Sequence, residues 1–94
     1  MEIIVRGLNL GVTAEVRAYA ERRLEFALGR FAQRIDRIEV RLSDTNGHKG
    51  GPDKRCQVHV RTRNMSPLWV DTTHIDVLGA IDRSADRIGQ VVAR

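Results

Sequence analysis

Cys56 and His59 are a thiol and an imidazole three positions apart, the spacing of half a zinc site. The pattern around them argues against that chemistry. Cys56, Val58 and Val60 alternate with Arg55, Gln57, His59 and Arg61, the period of a strand. In a strand, positions 56 and 59 fall on opposite faces, so the two side chains cannot chelate one ion. Cys56 is expected in the core. His48, His59 and His74 fall in a loop, a strand and a helix cap, with no carboxylate arrangement suited to proton transfer. Ser84 has no base near it in sequence. Asp82 and Asp86 stand four apart, as paired carboxylates would on a helix, but are expected to offset neighbouring Arg residues. Gly47-His48-Lys49-Gly50 spells the G-x-x-G of a KH clamp. That clamp lies between helices, whereas this loop joins two strands, and no G-K-[ST] ending makes it a P-loop. No catalytic residue, metal site or cofactor is assigned, and the chain is not expected to be an enzyme.

What remains is charge. The chain carries 16 basic and 12 acidic residues, for a net charge of +4. Apart from Lys49 and Lys54, every basic residue is Arg. Arg presents a rigid donor fork that fits phosphate oxygens in pairs, so the bias suits a phosphate-rich partner. Arg-favouring codons of a GC-rich genome explain it equally well. The arrangement says more than the count. Leu78, Ile81, Ala85, Ile88 and Val92 recur at helical spacing as one apolar face, and Arg83, Arg87 and Arg94 project from the other side. Arg22, Arg23 and Arg30 make a comparable basic flank on an earlier helix, beside Tyr19 and Phe26. Docking of the two helices would decide whether these rows join. Lys49 and Lys54 are further candidates for phosphate contact, although a flexible hairpin connection is the favoured role of their loop. Of the four aromatic residues, Tyr19, Phe26 and Phe31 lie in or beside the helix core pattern. Trp69 is either an open-face platform for a base or, the favoured reading, partly buried at a sheet edge. With so few platforms, contacts to an RNA should go mostly to phosphate and sugar, so that shape matters more than sequence.

The elements that must hold these residues follow from periodicity. Ile3 and Val5 lie in a short β-rich run ended by Gly7 to Gly11. Thr13 is a helix cap, and Val16, Ala20, Leu24, Ala27 and Phe31 predict a helix from about Thr13 to Arg34, with Gly29 inside it. Ile38, Val40 and Leu42 alternate with Arg37, Glu39 and Arg41 as a half-buried strand. Thr45 to Asp53 is a loop, and Asn64 to Pro67 a turn. Leu68, Val70 and Thr72 face inward on a last strand. Thr73-His74-Ile75-Asp76 has capping-box spacing and opens the final helix. The expected class is α+β, in the order βαβββα. It would form a four-stranded, mostly antiparallel sheet with both helices on one face. The other sheet face would carry Arg37, Arg41, Arg55, Arg61, His59 and Trp69 in water.

Ninety-four residues suffice for one modest core, so residues 1–94 are read as a single domain. The single cysteine excludes an internal disulfide, and the first residues do not read as a signal peptide. No run approaches the roughly 20 apolar residues of a membrane span. A cytoplasmic location without membrane or DNA partners is expected.

Several segments resemble a known family: Ile3-Ile4-Val5-Arg6-Gly7-Leu8-Asn9, Val12-Thr13, Lys54-Arg55-Cys56, and Ala80-Ile81-Asp82-Arg83-Ser84-Ala85-Asp86-Arg87. Together, across nearly the whole chain, they are similar to the ribosome hibernation-promoting factors. These are also called the ribosome-associated inhibitor or sigma-54 modulation family, here in a short single-domain form. The resemblance implies a fold akin to double-stranded RNA-binding domains. It also implies binding of ribosomal RNA on the small ribosomal subunit, in the channel used by mRNA and tRNA, and inhibition of translation under stress or in stationary phase. By the same resemblance, Arg83 and Arg87 match basic positions of the last helix, Arg23 and Arg30 those of the first, and Asp82 and Asp86 acidic positions. Gln90 departs from the pattern, because many relatives carry another basic residue there, and Arg94 is not followed by a Lys/Arg-rich end. Without the long-form dimerisation domain the chain is not expected to pair ribosomes alone, and another hibernation factor is a second candidate partner. The competing reading is a protein-interaction or self-association module that uses the open sheet face without touching RNA.

Overall fold

Strands form where apolar and polar residues alternate. In the computed structural model, which describes residues 1–45 and 52–94, there are four. They are β1 (Glu2–Gly7), β2 (Ile35–Asp44), β3 (Lys54–Thr62) and β4 (Leu68–His74). Helix α1 (Ala14–Leu28) lies between β1 and β2, and α2 (Val77–Ala93) follows β4. The sheet runs β1-β2-β3-β4, with β1 parallel to β2 and the other two pairs antiparallel. A parallel pair needs a crossover, which α1 supplies, whereas hairpin-length connections return the chain antiparallel. The class and element order are those expected. Lys49, His48 and the G-x-x-G spelling lie outside the described residues.

The inward sets of the strands are those the alternation implies. Ile38, Val40, Leu42, Cys56, Val58, Val60 and Val70 are buried under the helices. Ala20, Leu24 and Leu28 of α1 close over them, together with Ile81, Ala85, Ile88 and Val92 of α2. Each large side chain fully buried in this way contributes about 1.5–3 kcal/mol. Burial also pushes the Cys56 thiol up to about 11, against a weaker opposing hydrogen bond from Ser84, so this thiol stays protonated and unreactive at neutral pH.

Four local expectations are corrected. The first helix is α-helical only to Leu28, and Gly29–Arg34 tightens to 3-10 geometry before β2. Gly29 is a poor helix former, and the strand that must begin at Ile35 leaves no room for further α-turns. The cap of α2 is Asp76, whose Oδ1 accepts from the Gly79 amide at 2.6 Å, because Thr73 still belongs to β4. Leu78 is 44% exposed, and its place in the core is taken by Ala80 and Ser84. Small residues let the helix lie close to β3 and β4. The Ser84 hydroxyl donates to the Cys56 carbonyl at 3.2 Å and lies 2.6 Å from that of Thr72. Phe26, read as lying in or beside the core pattern, is 87% exposed.

Candidate nucleic-acid interface

Two helices on one face of a sheet offer Arg three kinds of place: the seam between the helices, the outer flank of α2 along the edge strand β4, and the free surface of α1. Each is used here, and the carboxylates decide what each arginine is free to do.

In the seam, Arg23 reaches from α1 to α2. Its Nε donates to Asp82 Oδ1 at 2.8 Å and its Nη2 to Asp86 Oδ1 at 3.2 Å. The Tyr19 hydroxyl donates to the same Asp82 oxygen at 2.6 Å. Burial pulls the Asp82 carboxyl upward, but the hydrogen bonds from Tyr19 and Arg23 outweigh it, and the group sits below the ordinary aspartate value. The hydrogen bond to Asp82 is also what most raises Arg23 and Tyr19. Arg23 therefore acts as a strut between the helices, with its guanidinium engaged by both acids. The acids on α2 offset this arginine of the other helix.

Lys54 is engaged in the same way. Its Nζ lies 3.0 Å from Asp53 Oδ1 and 3.2 Å from Asp44 Oδ2, and the Asp53 carboxylate is buried. The hydrogen bond to Asp53 is the main reason its pKa is raised. Lys54 ties together the ends of the connection between β2 and β3.

The flank of α2 is different. Arg83 and Arg87 are exposed and lean towards the edge strand, where Nη1 of each meets a β4 carbonyl: Thr73 O at 3.3 Å and Asp71 O at 3.5 Å. One N–H of five is used in each case, and the remaining donors face outward. These contacts also cover backbone carbonyls on the edge strand that would otherwise invite another strand. A shallow groove of about 450 Å³ runs between Arg83, Arg87, Asp86 and the backbone side of β4. A second hollow shares Asp71 and Arg87 with it and extends past Gln90 to Arg94 and Trp69. The acids in this lining are already engaged. Asp86 holds Arg23, and Asp71 receives a paired hydrogen bond from Arg55, which keeps its carboxyl below the ordinary range. Among the described residues, no carboxylate comes within ion-pair distance of Arg83, Arg87 or Arg94.

On the side of α1, Arg22 is exposed without an ion pair among the described residues, one turn before the solvent-facing Phe26. Arg30 and Arg34 both place a guanidinium over the Phe31 ring, at 4.7 and 4.8 Å from its centre. The structure thus brings Arg83, Arg87 and Arg94 together and leaves Arg22 and Arg30 on the far side of a seam where two carboxylates meet one guanidinium. Sequence reasoning missed two aromatics. Phe26 stands two positions from both Leu24 and Leu28, which puts it on the opposite side of the helix from that buried row. Trp69 is 59% exposed and stacks on His59, with ring centres 6.0 Å apart. The favoured expectation of partial burial at a sheet edge gives way to the alternative, an exposed ring on the open face of β4.

The described residues contain no group of three or more His, Cys, Asp or Glu placed to hold a metal ion, and no helix long and apolar enough to cross a membrane. Residues 3–94 match the family model described as "Sigma 54 modulation protein / S30EA ribosomal protein". No curated protein sequence matches the chain. Among solved structures, the chain is similar to the N-terminal domain of Protein Y from Thermus thermophilus. That match has a TM-score of 0.77 at 26% identity, over 98% of this chain and 96% of that one. It is also similar in fold to a ribosomal subunit interface protein from Coxiella burnetii, with a TM-score of 0.82 at 14% identity over 99% of this chain and 94% of that one.

Proposed function

The chain belongs to the sigma 54 modulation protein / S30EA ribosomal protein family, and from that premise we propose that it is a ribosome-associated hibernation factor. It binds the small ribosomal subunit by gripping ribosomal RNA phosphates, and its folded bulk keeps mRNA and tRNA out of their channel. No covalent chemistry takes part. The observation that carries this reading is the α2 flank, where Arg83, Arg87 and Arg94 line two adjoining hollows whose neighbouring acids are paired with other cations. Guanidinium forks are suited to bridging successive phosphates, and release of the RNA's counterions supplies much of the affinity. Arg22 and Arg30 are secondary contacts, with the exposed Phe26 between them available to an unpaired base.

Co-sedimentation with purified small subunits at low salt tests the proposal. The wild-type chain should pellet with the subunit, and Arg83→Glu with Arg87→Glu should stay in the supernatant while retaining its circular dichroism. Pelleting of the double variant at the wild-type level would refute the assignment. The channel-blocking step has its own readout. The bound factor should prevent the subunit from capturing a labelled mRNA, and unimpeded capture by a saturated subunit would remove that part of the mechanism.

A further inference from the structure

The geometry points to a second binding site on the open face of the sheet, built for a single 5′-phosphorylated nucleoside. It lies on the face opposite the helices and does not depend on the ribosome reading. Register puts the solvent-facing residues of this face into rows. Arg37 stands directly opposite Arg61, Glu39 opposite His59, and His59 opposite Trp69. Like charges opposite one another across a strand pair repel, and a sheet ordinarily avoids or neutralises them. Other cations of the same face are neutralised in this way. Arg6 and Arg41 share Glu39, and Arg55 is held by Asp71. The Arg37–Arg61 pair is the exception. Arg37 has only Glu2, at 4.0 Å, and Arg61 has no ion pair among the described residues.

This pair opens onto a pocket of about 280 Å³ lined by Arg37, Arg41, Arg61, His59, Glu39 and Pro67. Three guanidiniums face one carboxylate, so the pocket is cationic. His59 adds a further unmet demand: its Nε2 is screened from solvent and has no hydrogen-bond partner among the described residues. A phosphate group relieves the Arg37–Arg61 repulsion, and one of its oxygens reaches Nε2 once the imidazole turns towards the pocket. Beside the pocket lies the exposed Trp69 ring, stacked on His59 at an interplanar angle of 15°. Arg61 and His59 are successive same-face residues of β3, about 7 Å apart, and Trp69 is one strand further, about 5 Å. That is the reach from the phosphate to the base of one nucleotide. The ligand sits with its phosphate on Arg37 and Arg61 and its base on Trp69, whose π-face accepts any base.

Trp69 is the only tryptophan, and its fluorescence reports on both the side towards His59 and the hollow it shares with Arg87 and Arg94, so the Arg37 and Arg61 variants assign the signal. The full chain is titrated at physiological salt with adenosine 5′-monophosphate, adenosine, inorganic phosphate and a short oligoadenylate. The mononucleotide should quench saturably, and adenosine and phosphate should each bind far more weakly. Arg37→Ala and Arg61→Ala should each raise the mononucleotide Kd about tenfold, the effect of losing a charged hydrogen bond. Because Trp69 also borders the hollow of Arg87 and Arg94, calorimetry on the same Arg37 and Arg61 variants reads the binding independently of the fluorophore. Equal affinity for mononucleotide and oligonucleotide identifies a free nucleotide as the ligand, and tighter oligonucleotide binding identifies an RNA strand. Either result supports the pocket. Absence of saturable quenching by the mononucleotide, whatever the oligonucleotide does, would overturn it. So would quenching that both Arg variants leave intact.

Discussion

Arg23 and Arg87 are the same residue type on neighbouring helices, and their fates are opposite. Arg23 is held between Asp82 and Asp86 and half hidden in the seam, whereas Arg87 touches a single backbone carbonyl and keeps its charge uncompensated. The seam is a joint of one guanidinium between two carboxylates, and the flank is an open cationic surface. An arginine's presence on a helix surface therefore says little about what it binds. The deciding quantity is which carboxylate the packing sets opposite it. Asp86 makes the point from the other side, because it lines the flank groove yet spends its charge on the seam.

The sharpest way to break this contrast is to reverse the open charges. Arg83→Glu with Arg87→Glu should weaken small-subunit binding by at least about a hundredfold. Among conservative variants, Arg83→Gln with Arg87→Gln should lower the slope of log K against log salt by about two. Equilibrium binding across a salt series checks both numbers.

A second experiment opens the closed region. Asp82→Ala removes the partner of both Tyr19 and Arg23 and should cost about 1–2 kcal/mol in urea unfolding. Combined with Asp86→Ala, which removes the second partner, it should release Arg23 and raise ribosome affinity about threefold, the order of one exposed charge. Loss of stability without gain of affinity would mean that the seam is remote from the RNA.

Acid gives a third test. The Asp82 carboxyl is held below the ordinary aspartate value by Tyr19 and Arg23 against burial. Its contribution to stability is therefore complete above the ordinary value. It is lost progressively as pH falls from there through the lower folded value. Melting temperature should drop more steeply with acid in wild type than in Asp82→Asn, by under about 1 kcal/mol for this half-exposed group. The smallest effect expected is on binding by Arg23→Ala. Its affinity should stay within about twofold of wild type, because its charge is already spent.

The strands and the inward sets of the sheet were legible in the sequence, since alternation is a local property and Ile38, Val40, Cys56 and Val58 obey it. The resemblance carried by segments such as Ala80 to Arg87 was legible for the same reason: the motif is contiguous. Leu78 and Ser84 show where local reading stops. An apolar stripe gives the width of a face but not which neighbour it meets, and only contact with β3 and β4 made Ser84 a core residue and left Leu78 in water. Phe26 was recoverable from its angle to Leu24 and Leu28, and the face that Trp69 occupies was legible from alternation, while its degree of exposure was not.

By itself, then, the sequence determined the βαβββα order, the buried faces of the strands and the surplus of arginine, because each is set by residues a few positions apart. Tertiary structure alone decided which arginines remain cationic to a partner. The pairings Arg23–Asp82, Arg55–Asp71 and Lys54–Asp44 span 59, 16 and 10 positions. Charge is cancelled through space, over a few ångströms, by groups that only the packing of helix on helix and strand on strand brings into range.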